Sequence, residues 1–199
     1  MDVARGLIGR STSKSGHTHM KIITDVSQVK ALAELRSEDN YEFRAFLKEI
    51  SIPENEIDEA FREAYESVRQ QIDCSECANC CKAALPVFSM GEMKRMAQAS
   101  GMPVEEFMDE YCCEDEYKGE YTFREKPCPM LQENRYTLGE AAPECCREYP
   151  HLHKPGRPRA MYSIIDNSFT CPIVYNVLEK VKPIIRSKDY YRMLREDML

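Results

Sequence analysis

Glycine is scarce in this chain, with eight among 199 residues. That leaves little room for a Rossmann-type cofactor site, which needs a glycine-rich turn where backbone meets phosphate, and no such loop occurs. Long apolar runs are missing too. No window approaches the roughly 18 uninterrupted apolar residues of a membrane-spanning helix. The only apolar patch near the start, Leu7 and Ile8, is too short for the core of a secretory signal. Basic residues number 27 against 34 acidic ones, a net charge of -7. Nucleic acid and anionic membrane would both repel such a surface, so neither is expected as a partner.

Cysteine is what the chain has in abundance. Ten cysteines without a secretion signal point to a reducing, cytoplasmic setting in which thiols survive to bind metal. A disulfide scaffold fits poorly, because Cys80-Cys81, Cys112-Cys113 and Cys145-Cys146 are adjacent pairs and vicinal disulfides are strained. Four of the ten form the array Cys74-Ser-Glu-Cys77-Ala-Asn-Cys80-Cys81. Cysteines three apart bring their sulfurs round one backbone turn, close enough to share an ion or a cluster.

The surrounding pattern predicts a mainly α protein with a small β-hairpin (α+β), a single compact domain organised around a cysteine-rich metal site. Residues 1–19 are Ser/Gly/Thr-rich and read as a disordered leader or a misassigned start. Residues 20–185 read as the metal-binding domain and 186–199 as a C-terminal extension. Within the domain, 27–50 have helical apolar spacing. Ser51-Ile-Pro-Glu54 reads as a capping box opening a helix with the stripe Ile57, Phe61, Tyr65, Val68 and Ile72, running straight into Cys74. Ser89-Met-Gly-Glu92 is another such start, with Met93, Met96 and Ala97 inward and Gly101 as C-cap. Helix spacing makes these methionines core rather than soft-metal ligands. Pro103 opens a short helix. The alternation of aromatic and polar residues over 117–138, around Tyr117, Tyr121 and Phe123, fits a short hairpin with Cys128-Pro129 in or beside it, and Ala160–Ile165 fits a further extended piece. A last helix starts at Cys171-Pro172, and Pro183 kinks or ends it.

Downstream of the array come Cys128-Pro129, Cys145-Cys146-Arg147 and Cys171-Pro172. Three cysteines at C-x-x-C-x-x-C plus a remote Cys-Pro resemble ligation of an iron–sulfur cubane. Eight thiolates would equally make two tetrahedral zinc sites. Thiolate softness admits either and excludes Mg²⁺ or Ca²⁺; the cubane-like triple favours the cluster. Cys171, at the start of a Pro-initiated helix, is expected to have its thiol lowered by the helix dipole, as a ligand or a nucleophile.

On these residues the chain resembles the CxxCxxCC cysteine-cluster family, the YkgJ-type zinc- or iron-chelating domain, to which a domain of bacterial flagellin lysine N-methylase is related. The matching segments are Cys74 to Cys81, Cys128-Pro-Met-Leu131 and Pro143-Glu-Cys-Cys146-Arg-Glu-Tyr-Pro150, the last close to P-x-x-C-R-x-[FY]-P. His151-Leu-His153-Lys154 and Cys171-Pro-Ile-Val-Tyr-Asn176 match one branch of it. The resemblance implies as metal ligands Cys74, Cys77, Cys80 and Cys81, joined by Cys128, Cys146 and Cys171. One departure stands out: Tyr136 begins Tyr136-Thr-Leu-Gly-Glu-Ala-Ala-Pro143 where the family has C-x-[IL]-Y-E-x-R-P. Either the site has one thiolate fewer, or Cys145 substitutes. Cys112 and Cys113 fall outside the pattern and are expected to be non-ligands.

His151 and His153, two apart on an extended segment, would face one side; one could ligate metal, or the pair could anchor the turn by hydrogen bonds. Lys154, Arg157 and Arg159 form either an anion-holding patch or a solvated surface. The function these features imply is a metal-binding protein holding an iron–sulfur cluster or zinc. The alternative is a protein-modifying enzyme, lysine N-methylase-like or redox, using that cluster. S-adenosylmethionine would suit that second reading but has no motif of its own here. A third reading makes the metal purely structural and gives the helical surface to an unknown protein partner.

Overall fold

Asp25 starts the first helix by accepting a hydrogen bond from the Gln28 amide at 2.7 Å, the usual remedy for an unpaired first-turn donor. The computed structural model describes residues 21–116 and 119–196, with side chains as far as residue 189. The leader at 1–19 and Tyr117 lie outside the described residues. Helices α1 (Val26–Leu35), α2 (Ser37–Phe46) and α3 (Glu54–Arg69) come first, followed by two short helical turns, α4 (Cys74–Cys77) and α5 (Asn79–Ala83). Next are β1 (Val87–Ser89), α6 (Met90–Ser100), α7 (Val104–Tyr111), β2 (Cys112–Glu114) and β3 (Glu120–Phe123). The chain then forms β4 (Leu131–Gln132), β5 (Arg135–Tyr136), α8 (Glu144–Arg147), α9 (Met161–Ser168) and α10 (Pro172–Glu196). The protein is thus mainly α with two small antiparallel sheets, ordered β1-β3-β2 and β4-β5. No helix among the described residues is long and apolar enough to cross a membrane.

The Ser89 capping box is present, with the Ser89 side chain and Glu92 exchanging hydrogen bonds. Gly101 closes α6 in the left-handed region at φ 71, where glycine has no Cβ to clash. Three expectations need correction. Ser51 caps nothing: Ile52 is drawn into the core, and Pro53 enters α3 directly with no side-chain cap. Ala160–Ile165 is not extended, because burying Met161, Ile164, Ile165 and Ser168 requires the helical period of α9. The expected hairpin within 117–138 is β4–β5, directly after Cys128-Pro129, while Tyr121 and Phe123 lie on β3, the central strand of the other sheet. Pro183 lies inside α10 and does not end it. Val181 and Ile185 on either side are fully buried, which offsets the roughly 3 kcal/mol a helix-interior proline costs, and no break separates a C-terminal extension at residue 186.

Two large apolar cores result. The first joins α3, α9 and α10 through Phe61, Val68, Ile165, Val177 and Leu178, and includes Cys171. The second joins α6, α7 and the three-stranded sheet through Phe88, Met93, Met96, Phe107 and Phe123, and includes Cys128. Buried polar groups brace the first. Asn176 accepts from the Ile23 amide at 2.9 Å and donates to the Ile23 carbonyl at 2.7 Å, tying the entering strand of chain to α10. Lys182, 3% exposed, donates to Asn40 at 2.8 Å and pairs with Asp39 and Glu179.

Removing Lys182 would strand those acceptors, so Lys182→Ala is expected to lower the free energy of unfolding by about 3–5 kcal/mol, measured by urea denaturation. Burial works against the Asp39 charge, but hydrogen bonds from Lys182 and Arg186 outweigh it and hold the carboxyl below its ordinary range. A carboxyl that titrates lower when folded stabilises fully above the unfolded carboxylate range and loses that contribution as pH falls through its own lowered value. Asp39→Asn should therefore be less stable than the natural chain at neutral pH, and lose less on acidification toward pH about 3.

Candidate metal centre

The array is built from two helical turns joined by a reversal. Asp73 caps α4 by accepting from the Ser75 amide at 2.8 Å. Ala78, buried at φ 46, then turns the chain through the left-handed region before α5 begins. That conformation costs an alanine on the order of 1 kcal/mol. It breaks what would otherwise be one helix, and so bends Cys74, Cys77 and Cys80 around a common side. The array does not continue α3: that helix ends at Arg69, and Gln70–Asp73 intervene.

Two main-chain clasps bring the remote cysteines to it. The Asn79 side-chain amide donates to the Thr170 carbonyl at 2.7 Å, beside Cys171. The Cys128 amide donates to the Cys81 carbonyl at 2.7 Å. Cys145 is held by its thiol, which donates to the Val87 carbonyl at 3.3 Å. Three adjoining cavities follow. Cys74, Cys77, Cys80 and Cys171 line one of ≈ 20 Å³. Cys80, Cys81, Cys128, Cys145 and Cys146 line one of ≈ 400 Å³. Cys74, Cys80, Cys81 and Cys146 meet at a third of ≈ 350 Å³. Each of the seven cysteines expected as ligands thus borders a cavity, and Cys145 joins them. Cys112 and Cys113 border none of the three; Cys112 is a fully buried member of the second core.

All ten cysteines are unpaired. Among the described residues, no three His, Cys, Asp or Glu side chains are grouped tightly enough to hold an ion as they stand. The sulfurs share cavities rather than a point. A cysteine has a single side-chain torsion to turn, and only Cys128, Cys171 and Cys112 are buried. The other site thiols therefore keep room to rotate, around two fixed ones. Cys80 and Cys81 sulfurs lie 4.0 Å apart. Their hydrogen bond keeps a proton on Cys80, whose thiol is pushed up, and lowers Cys81. A soft cation would relieve that crowding by replacing protons with a shared positive charge.

Cys171 departs from the expected low thiol. Burial pushes it up to about 11, outweighing the helix-start amides of Val174 and Ile173 that favour the thiolate. Burial likewise raises Cys128 to about 11. Neither is a free nucleophile near neutral pH. Tyr136, standing where the resemblance implied a ligand, borders both larger cavities, and its hydroxyl points to the Met96 sulfur at 3.6 Å.

The two histidines do not face one side. His151 adopts φ 61, which turns the segment; it borders the ≈ 400 Å³ cavity with its Nδ1 buried and unpartnered. His153 instead packs on the Tyr65 ring at 5.9 Å. The basic run is not a free anion patch. Lys154 pairs with Glu148, Arg159 with Glu54 at 2.8 Å, and the largely buried Arg157 donates to the His151 and Pro155 carbonyls. Tyr149 borders all three cavities and its hydroxyl donates to Asn167 at 3.2 Å. Its position in the P-x-x-C-R-x-[FY]-P segment was the available signal for it.

No family model, curated protein or solved structure matches the chain.

Burial and thiol ionisation together order the thiols in a way that alkylation can read. In the metal-free folded chain, iodoacetamide mapped by mass spectrometry should label Cys81, which is only partly buried and whose thiol is lowered, ahead of the buried Cys112 and Cys171, whose thiols burial pushes up. Labelling of Cys112 should appear only when the second core opens.

Proposed function

We propose that this is a metal-binding protein whose multi-cysteine cage holds an iron–sulfur cluster or zinc, in the manner of the CxxCxxCC cysteine-cluster family it resembles. The observation that carries the reading is the convergence of eight cysteines, from four separate stretches of chain, on adjoining cavities around Cys80 and Tyr149. Neighbouring thiols cannot all ionise side by side without a positive charge between them, and a soft metal supplies that charge. Cys74, Cys77, Cys80, Cys81, Cys128, Cys146 and Cys171 would hold the metal, with Cys145 available where the resemblance expects a ligand at Tyr136. The metal would supply cross-linking, or as a cluster one-electron chemistry. The protein's own residues position it: Asn79 and the Cys81–Cys128 backbone bond set the separation of the segments. The reading places the protein in a reducing compartment such as the cytoplasm.

A second reading, a protein-modifying enzyme, is favoured by the ≈ 400 Å³ cavity, where Leu85, Val87 and Asn167 stand beside the thiols. That space would admit a side chain or small substrate next to the metal. If S-adenosylmethionine is used, reconstituted protein should bind or cleave it; neither event would leave that mechanism without support.

The metal itself is the decisive measurement. Protein purified without oxygen should be coloured, with visible absorption and iron and sulfide in stoichiometric amounts. A colourless protein with stoichiometric zinc would replace the cluster by zinc, and a protein free of any thiolate-bound metal would defeat the proposal.

A further inference from the structure

The eight site cysteines divide into two sets of four that meet where the Cys80 and Cys81 sulfurs lie 4.0 Å apart. Cys74, Cys77, Cys80 and Cys171 surround the ≈ 20 Å³ cavity, which none of the other four reaches. Cys81, Cys128, Cys145 and Cys146 border the ≈ 400 Å³ cavity, which of the first set only Cys80 reaches. The third cavity is their meeting place, taking Cys74 and Cys80 from one set and Cys81 and Cys146 from the other.

Each set also has its own clasp, its own anchor and its own core. The Asn79–Thr170 bond holds the Cys80 side of the array to Cys171, and the Cys81–Cys128 backbone bond holds the other side to Cys128. Each set has one buried sulfur and three less buried ones. Cys171 belongs to the core of α3, α9 and α10, against which Tyr149 packs. Cys128 belongs to the core of α6, α7 and the sheet, against which Cys81 and Tyr136 pack. Tetrahedral thiolate sites take four sulfurs, no more, and two sets of four are what the chain provides.

The geometry points to two separate four-cysteine metal sites, Cys74/Cys77/Cys80/Cys171 and Cys81/Cys128/Cys145/Cys146, with the array divided between Cys80 and Cys81. This rests on the metal-binding reading and goes beyond it. Cys145 becomes the fourth ligand of the second site, in place of the one missing at Tyr136. The two sites differ in size. The first leaves only ≈ 20 Å³ and is pinned to the larger core through Cys171. The second opens on a cavity large enough for a small molecule, whose wall includes Leu85, Val87 and the unpartnered His151 Nδ1.

The test is cobalt(II) titration of the full metal-free chain under anaerobic conditions, read by sulfur-to-cobalt charge-transfer absorption, with metal analysis alongside. The natural chain should saturate at two equivalents. Cys74→Ser and Cys171→Ser should each remove one equivalent and leave the other; Cys145→Ser and Cys128→Ser should each remove the other one. Cys74 and Cys145 are the informative members, because neither is buried in a core and their variants keep the fold, checked by circular dichroism. A double variant, Cys74→Ser with Cys145→Ser, should bind none through four thiolates. Saturation at a single equivalent, abolished by a substitution in either set, would overturn the division while leaving the metal-binding reading intact. Two equivalents lost together in any single folded variant would overturn it as well, in favour of one bridged cluster. No thiolate-bound cobalt in the natural chain would overturn the metal-binding reading itself.

Discussion

Two hydrogen bonds decide where the cysteine array sits: Asn79 to the Thr170 carbonyl, and the Cys128 amide to the Cys81 carbonyl, each 2.7 Å long. The array comprises only two short turns, α4 and α5, too brief to hold a position by their own helical bonds. Without outside partners it would be an exposed loop. With them it lies as a seam between two apolar cores, Cys171 belonging to one and Cys128 to the other.

The seam explains why burial rather than the helix start governs Cys171, and why burial governs Cys128. Cys171 stands at the start of α10, where amides favour a thiolate, yet desolvation in the first core wins and raises it. Cys128 behaves the same way in the second core. A buried thiol that is reluctant to ionise in water's absence is a poor nucleophile but a good ligand once a cation is present, since the cation removes the penalty that burial imposed. The same logic covers Cys80 and Cys81, whose neighbouring sulfurs compete for one negative charge until something positive stands between them.

The outer parts of the fold serve that seam. α10 runs through Pro183 because apolar burial on both sides of the proline offsets the lost backbone bond, and Lys182 and Asn176 on the same helix fasten α2 and the segment at Ile23 to it. The basic residues after the Cys146 turn are taken up by protein partners: Arg157 by the carbonyls of its own loop, Lys154 by Glu148, Arg159 by Glu54 of α3. They shape the loop that places Tyr149 and His151 at the cavities.

Local rules read directly from residue order were enough for the capped and amphipathic elements. The α6 capping box, the Gly101 stop, the buried faces of α3 and α10 and the mainly α class with small β pieces depend on neighbours within a few positions. The crowding of cysteines at 74–81 was equally visible. What residue order left open is everything set by contacts between distant segments. Ile164 and Ile165 looked extended until the first core demanded a helix, Ser51 looked like a cap until Ile52 was pulled inward, and the two histidines separated because His151 takes a left-handed turn. The division of the thiols between two cores belongs to that second category. Sequence spacing counts cysteines along the chain, whereas which of them share a cavity is decided by long-range packing and by two hydrogen bonds whose partners lie 91 and 47 residues apart.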